Sequence, residues 1–102
     1  MVDFYEIVEK ARKTGKIDKG TNEVTKAIET KTAKAVFYAL DVEPREIIAH
    51  LPVLCKEKNI LCIKVDSKQK LGAAAGVLVG ASSVAIIDAG SASKEVSQLK
   101  SN

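Results

Sequence analysis

The sequence predicts one α/β domain, a three-layer α/β/α sandwich around a mixed central sheet of about four strands. A chain of 102 residues is the size of a single domain. Short apolar runs rich in β-branched residues alternate with segments whose apolar residues recur at helical spacing. Helices that connect successive strands favour parallel or mixed pairing. We therefore treat residues 1–102 as one domain.

Local signals predict the first helix and the first strand. Asp3 can serve as an N-cap, and Gly15 stands where a helix would stop. Residues 16–19 are predicted as a short strand leading to Gly20. The apolar stripe of the helix consists of Phe4, Ile7, Val8 and Ala11.

A second helix is predicted after Gly20, with Thr21 as its cap. Its buried stripe would be Val24, Ala27 and Ile28, because these positions share one face. The opposite, solvent-facing side consists of Asn22, Glu23, Lys26 and Thr30.

The middle of the chain predicts a strand, a helix and a second strand. Residues 35–40 are an apolar run typical of a buried strand. Pro44 suits the first turn of a third helix, which Pro52 should bend or interrupt and Asn59 should end. Residues 61–65 form the next strand. The third helix would bury Ile47, Ile48, Leu51, Leu54 and Cys55.

The last elements are a helix, a strand and a short terminal helix. Ser67 is a suitable cap for a fourth helix, residues 84–87 are the last core strand, and a fraying helix begins at Ser91. The fourth helix carries Leu71, Ala74 and Ala75 on its buried face.

Composition indicates a globular protein of the cell interior. Apolar residues make up 46% of the chain and charged residues 28%, while aromatics at 4% predict an aliphatic core and argue against a sheet that stacks bases on rings. Acidic residues at the start argue against a secretory signal, so we expect a cytoplasmic location. Cys55 and Cys62 are expected to be buried, reduced thiols.

One uncharged stretch, residues 71–87, raises the alternative of a membrane span, because Gly72, Gly76 and Gly80 have the spacing of a membrane helix-packing motif. The stretch lies at the short edge of the spanning range, and its small residues lower its mean hydropathy. We therefore expect no membrane partner.

The net charge of +3 and the pI of 8.9 are a weak indication of nucleic acid. Two groups of basic residues would make one phosphate-facing surface if the fold brings them together. The alternative is two solvated faces with glutamates interleaved as ion pairs. The groups are Lys10, Arg12, Lys13, Lys16, Lys19 and Lys26, and then Lys56, Lys58, Lys64, Lys68 and Lys70.

No residue set for catalysis, a metal or a cofactor assembles, so the sequence predicts a protein that is not an enzyme. The single histidine, His50, lies on a predicted amphipathic helix and reads as a structural or partly exposed residue. The segment from Gly72 to Gly76 lacks the glycine order and the Lys-Ser/Thr pair that bind phosphates, and a close-packed helix explains its glycines better.

Residues 19–26 place a glycine turn, a helix N-terminus and three polar side chains close together. A helix N-terminus favours a phosphate. Asn22 offers a donor and an acceptor, Glu23 offers two acceptors that match the N–H edge of a guanine, and Lys26 can reach a base or a phosphate. The set suits guanine edges in an irregular RNA. The chemistry also allows an ordinary surface helix with a Glu23–Lys26 ion pair.

Residues 19–27, Lys-Gly-Thr-Asn-Glu-Val-Thr-Lys-Ala, closely resemble the RNA-binding signature of the archaeal seven-Ae family of large-subunit ribosomal proteins. Residues 41–55 resemble the family's third helix and the turn before it, residues 68–76 its fourth helix and residues 83–87 its last strand. The resemblance covers nearly the whole chain.

The resemblance implies recognition of a kink-turn, an RNA internal loop with a sharp bend, tandem sheared G·A pairs and an extruded nucleotide. Asn22 and Glu23 would contact the guanines, and residues 77–81 would hold the extruded base on an apolar surface. The implied contact residues are Lys19, Gly20, Thr21, Asn22, Glu23, Lys26, Lys68, Val77, Leu78, Val79 and Gly80.

The chain departs from the family pattern at three places. Leu78 stands where an acidic residue is common, Thr30 and Lys31 stand where many members have Arg-Gly, and Asp66 replaces a frequent proline. These positions bear on affinity and loop shape, and they leave Asn22, Glu23 and Lys26 intact.

The resemblance further implies a protein, monomeric when free, that stabilises kink-turns and nucleates ribonucleoprotein assembly. Its RNA partners would be ribosomal RNA, box C/D or H/ACA guide RNA and ribonuclease P RNA, and its protein partners those of the guide ribonucleoprotein. The alternative is a protein-interaction module of the same fold that does not bind RNA.

Overall fold

The structure is a computed structural model that describes residues 3–100; residues 1–2 and 101–102 of the predicted domain lie outside this range. The alternation of helices and strands is as predicted. The helices are α1 (Phe4–Thr14), α2 (Thr21–Glu29), α3 (Glu46–Glu57), α4 (Lys68–Ala74) and α5 (Ser93–Ser97), with a 3-10 turn at Gly90–Ala92 before α5. The strands are β1 (Lys16–Lys19), β2 (Ala35–Ala39), β3 (Leu61–Val65) and β4 (Ser83–Asp88).

The four strands form one mixed sheet in the order β1-β4-β2-β3. β2 and β3 are parallel, whereas β4 is antiparallel to both of its neighbours, β1 and β2. Helices α1 and α4 pack together, as do α2 and α3, and both pairs contact the sheet. Phe37 of β2 meets Phe4 of α1, with ring centroids 6.1 Å apart. The predicted three-layer α/β/α sandwich is confirmed.

The core lies where the faces of the central strands meet the apolar stripes of the helices. It is aliphatic apart from Phe37 and two cysteines, in keeping with the low aromatic content. Cys55 and Cys62 are buried free thiols, as predicted. Their mutual hydrogen bond, together with burial, raises the pKa of Cys62 and keeps that thiol protonated. The largest fully buried side chains include Phe37, Ile28, Leu51, Ile63, Leu71 and Ile86.

Three local predictions about the helices are wrong, and they concern the N-cap of α2, the place of Pro44 and the burial of Ile47. Gly20, and not Thr21, is the N-cap of α2. Pro44 lies before α3, which starts at Glu46, and Pro52 is accommodated inside that helix without ending it. Ile47, predicted to be buried, is 39% exposed because the face of α3 that meets the core carries Ile48, Leu51 and Cys55. The caps predicted at Asp3 and Ser67 are both present.

The uncharged stretch of residues 71–87 is divided among α4, a loop and β4. The prediction that a close-packed helix explains Gly72 and Gly76 holds for Gly72, which lies buried in α4, and is wrong for Gly76, which lies in the turn after that helix. Gly80 lies in the loop. Among residues 3–100, no helix has both the length and the apolar character that crossing a membrane requires.

Candidate nucleic-acid interface

One edge of the sheet collects the segments in which the predicted contact residues lie. β1, β2 and β3 end at this edge and β4 begins there, since Lys19 pairs with Val84 and Ala39 pairs with Val65. The amide of Gly20 donates to the carbonyl of Ser83 at 3.0 Å. The start of α2 and the loop that enters β4 are therefore direct neighbours.

The turn into α2 depends on a glycine conformation. Gly20 has φ 91° and ψ 150°, and a Cβ placed there would meet no atom within 4 Å. The glycine is needed for its backbone angles and not for space, because L-residues rarely adopt this region. No side chain of the described residues caps α2, so the amides of its first turn lack the acceptor that usually covers one of them.

Thr21 connects α2 to the opposite side of this edge. Its hydroxyl lies 2.9 Å from the Ser82 hydroxyl, and either oxygen can donate. Because Gly20 holds the cap position, Thr21 is the first helical residue of α2, and its hydroxyl contacts Ser82 in place of its own helix. This contact fixes the first turn of α2 against the end of the loop that follows α4.

Asn22, Glu23 and Lys26, which we call the polar triad, are exposed on α2. Within residues 3–100, none of their side chains makes a hydrogen bond or an ion pair in the structure. The ion pairs in this part of the chain join Lys10 to Glu95 and Lys13 to Glu9. The Glu23–Lys26 pair of the ordinary surface-helix interpretation is thus absent from the described residues, and the triad is available to a partner.

Residues 77–81, which we call the apolar loop, present hydrophobic side chains to solvent. Leu78 is fully exposed and Val79 is 75% exposed. The backbone of the loop is nevertheless fastened to α4: the Val77 amide donates to Gly72 at 2.9 Å, and a Cβ on Gly72 would lie 2.3 Å from the Val79 carbonyl oxygen. These contacts therefore hold the backbone of the apolar loop against α4.

Lys68 links the apolar loop to the rest of the edge. It is the first residue of α4, and its carbonyl accepts the Ala81 amide at 2.9 Å. Its own amide donates to Asp41 Oδ1 at 2.8 Å. Its side chain runs beside Gly80, since a Cβ on that glycine would lie 3.0 Å from the Lys68 Cγ. Lys68 thus lies at the same edge as Lys19 and the polar triad.

The sequence left open whether the two groups of basic residues form one surface, and in the structure they do not. Lys56 and Lys58 precede β3 and lie at the opposite edge of the sheet, because β3 starts there at Leu61. Arg12 is occupied with the Ala74 carbonyl at 3.1 Å. The antiparallel and parallel pairings of the sheet separate charges that are grouped in the sequence. Lys19 and Lys68 lie at the same edge as the triad, which includes Lys26.

Sequence patterns did not identify Ser82 and Asp41 as residues that hold this edge together. Ser82 and Asp41 make their contacts with residues that are distant in sequence, so no local pattern signals them. His50 was predicted to be structural or partly exposed, and its Nε2 lies 2.8 Å from the Thr25 hydroxyl, which joins α3 to α2. No cluster of three or more metal-ligating side chains occurs within residues 3–100.

A protein-family model matches residues 3–96, which is nearly the whole chain. Its description is the ribosomal protein L7Ae/L30e/S12e/Gadd45 family. The chain belongs to this family. The resemblance drawn from residues 19–27 is therefore confirmed at the level of the family, which matches far more of the chain than that signature.

A solved structure of similar fold supports the assignment. The chain is similar to the "Giardia lamblia 15.5kD RNA binding protein" with a TM-score of 0.85 and 28% sequence identity, over 92% of this chain and 78% of that one. The match spans both helical layers and the sheet, and it confirms the predicted fold class as that of the L7Ae family.

Proposed function

We propose that this protein binds RNA and that its preferred target is a kink-turn, read at the edge where α2 begins. The observation that carries the proposal is the polar triad: Asn22, Glu23 and Lys26 are exposed without intramolecular partners in the described chain. The family and the RNA-binding protein of similar structure support RNA as the partner.

The chemistry of the triad favours guanine edges. A carboxylate accepts two N–H donors side by side, which suits Glu23 for the donor edge of a guanine in a sheared G·A pair. Asn22 adds a donor and an acceptor. Lys26, in the second turn of α2, and the uncapped amides of the first turn favour phosphate oxygens.

The apolar loop supplies the second half of the proposed site. An unstacked base in RNA is held by apolar or aromatic surfaces and by contacts to its edges. Leu78 and Val79 offer an apolar surface with no aromatic ring, fastened beside α2 through Ser82 and Ser83. We therefore assign the extruded nucleotide to this loop, with Val77 and Gly80 as its flanking backbone and Lys68 beside it.

Binding of the bent RNA in preference to the extended form would shift the RNA toward the bent state, by the ratio of the two affinities. The protein would thus prepare the RNA for assembly. We propose ribosomal RNA, box C/D or H/ACA guide RNA and ribonuclease P RNA as clients, and proteins of the guide ribonucleoprotein as later partners. No catalytic role is part of the proposal.

The test is a binding titration with a kink-turn RNA and with the same RNA in which Watson–Crick pairs replace the sheared G·A pairs. The wild-type protein should prefer the kink-turn. The double variant Asn22→Ala, Glu23→Ala should lose that preference while its thermal unfolding stays nearly unchanged, because both side chains are exposed. Glu29→Ala, at the far end of α2, is the control. Unchanged affinity of the double variant would reject the proposed site.

A protein-interaction module of the same fold is the second candidate. The exposed Leu78 and Val79 favour it, because adjacent exposed apolar side chains also mark protein contacts. The same titration separates the two functions. Failure of the wild-type protein to bind either RNA would favour the protein-interaction module.

A further inference from the structure

The backbone of one residue connects the apolar loop to the core. Lys68 donates its amide to Asp41 Oδ1 at 2.8 Å and accepts the Ala81 amide on its carbonyl at 2.9 Å. Asp41 follows β2 after a single intervening residue, Leu40, and β2 is a buried strand in the middle of the sheet. Two consecutive hydrogen bonds, from Ala81 to Lys68 and from Lys68 to Asp41, therefore connect the apolar loop to the sheet.

A second set of contacts holds the same turn from the other side. Tyr5 of α1 donates its hydroxyl hydrogen to Asp66, and the Ser67 amide donates to the Tyr5 oxygen at 3.1 Å. Ser67 caps α4 by accepting the Lys70 amide at 3.2 Å. These contacts fix residues 66–67, but none reaches the amide of Lys68. That amide depends on Asp41.

We infer that Asp41 is a positioning residue for RNA recognition, acting through Lys68 to hold the apolar loop in the place where it receives an extruded base. This inference rests on the proposed function. Asp41 does not itself contact the RNA. Its carboxylate orients the first turn of α4, and the Lys68 carbonyl passes that orientation to Ala81 and the loop.

The negative charge of Asp41 and its hydrogen bond to Lys68 should affect RNA affinity in opposite directions. A carboxylate near a surface that binds phosphates repels them, so removing its charge should by itself strengthen RNA binding. Loss of a loop-positioning hydrogen bond should weaken binding instead. The two effects have opposite signs, and the direction of the change in affinity identifies which one dominates.

A pair of variants separates charge from hydrogen bonding. Asp41→Ala and Asp41→Asn both remove one negative charge, but asparagine keeps a carbonyl oxygen that can accept the Lys68 amide. Glu57→Ala, at the end of α3 on the opposite edge, makes the same change in net charge far from the loop and is the matched control.

The first experiment uses the protein without RNA. Amide hydrogen exchange should become faster at Lys68 and Ala81 in Asp41→Ala, remain near wild type in Asp41→Asn, and stay unchanged in β4 in both, since the loop opens locally and the sheet does not. Equal protection of Lys68 and Ala81 in the alanine variant and the wild type would overturn the inference, whether or not the protein binds RNA.

The second experiment measures affinity for a kink-turn RNA and for the same RNA with an abasic site at the extruded position. We expect Asp41→Ala to weaken binding of the intact RNA by roughly fivefold to tenfold, the effect of losing one ordinary hydrogen bond, and to leave binding of the abasic RNA unchanged or stronger. Asp41→Asn and Glu57→Ala should not weaken either complex.

The outcomes distinguish this inference from the proposed function. Equal weakening of both RNAs, or equal effects of the alanine and asparagine variants, would overturn the positioning role while leaving kink-turn binding intact. Failure of the wild-type protein to prefer a kink-turn would reject the proposed function, and the RNA part of the inference with it. The exchange experiment would then still decide whether Asp41 holds the loop.

Discussion

Helices α2 and α4 begin at the same edge of the sheet, but they differ in whether side chains accept hydrogen bonds from the amides of the first turn. The first turn of α4 is covered: the Ser67 hydroxyl accepts one amide and Asp41 accepts another. The first turn of α2 follows a glycine and has no side-chain cap among the described residues. Covered amides fasten a helix to its own protein, whereas uncovered amides remain available to a partner.

The two helices also differ in what their residues contact. The backbone of Lys68 is committed to Asp41 and Ala81, so α4 serves as a mount for the apolar loop. The polar triad on α2 is uncommitted within the described chain. The start of α4 therefore positions the apolar loop, and α2 presents the polar triad to a partner.

The largest expected effect comes from forcing the open start of α2 out of its conformation. Gly20→Ala should lower the free energy of unfolding by about 1–3 kcal/mol, because a non-glycine residue is strained at φ 91° and ψ 150°. It should also weaken RNA binding, since relief of the strain shifts the first turn. Denaturant titration and RNA titration measure the two effects.

Ser67→Ala is the comparison variant for the covered start. Loss of that cap should cost about 1 kcal/mol of stability and should affect RNA binding less than Gly20→Ala does. An equal loss of RNA affinity in both variants would remove the distinction between the two helix starts.

A smaller effect is expected for the charge on α2. Lys26→Ala should reduce the slope of log affinity against log salt concentration by about one, as expected for the loss of one phosphate contact. Lys58→Ala removes the same charge at the opposite edge and should leave the slope unchanged. If both variants change the slope equally, binding is a diffuse property of the net charge.

The smallest expected effect concerns the Tyr5–Asp66 contact beside α4. Hydrogen bonding from Tyr5 lowers the pKa of Asp66 below its usual value. The ionised form therefore stabilises the fold above the usual carboxyl pKa, and this contribution is lost as pH falls through the lower pKa of the folded state. Tyr5→Phe should be less stable than wild type at neutral pH, with the difference shrinking in acid. A difference that is independent of pH would contradict the assignment.

The fold could be predicted from the sequence because helices and strands differ clearly in the period of their apolar residues. Two of the helices also begin at recognisable N-caps, Asp3 and Ser67. Predictions failed where a long-range contact decided the outcome. Thr21 turns from its own helix to Ser82, and the sheet order carries Lys58 away from Lys68. Such pairings join residues far apart in the sequence and leave no local pattern.

The candidate site was predictable to a different degree. The exposure of Asn22, Glu23 and Lys26 follows from helical spacing, and the structure shows it. The role of Asp41 could not be predicted, because its partner Lys68 lies on another element. The RNA contacts of all these residues, from Lys19 to Lys26, of Lys68 and of the apolar loop, stay predictions.

The central claim is that Glu23 reads a guanine edge, and a double-mutant cycle between protein and RNA tests it most directly. Guanine is replaced by inosine in the sheared pairs, which removes the exocyclic amino group, and each RNA is titrated with wild-type protein and Glu23→Ala. We predict that each change alone weakens binding and that the two together cost less than the sum of the separate losses, because both remove the hydrogen bond from the guanine amino group to Glu23. Fully additive losses would contradict the account.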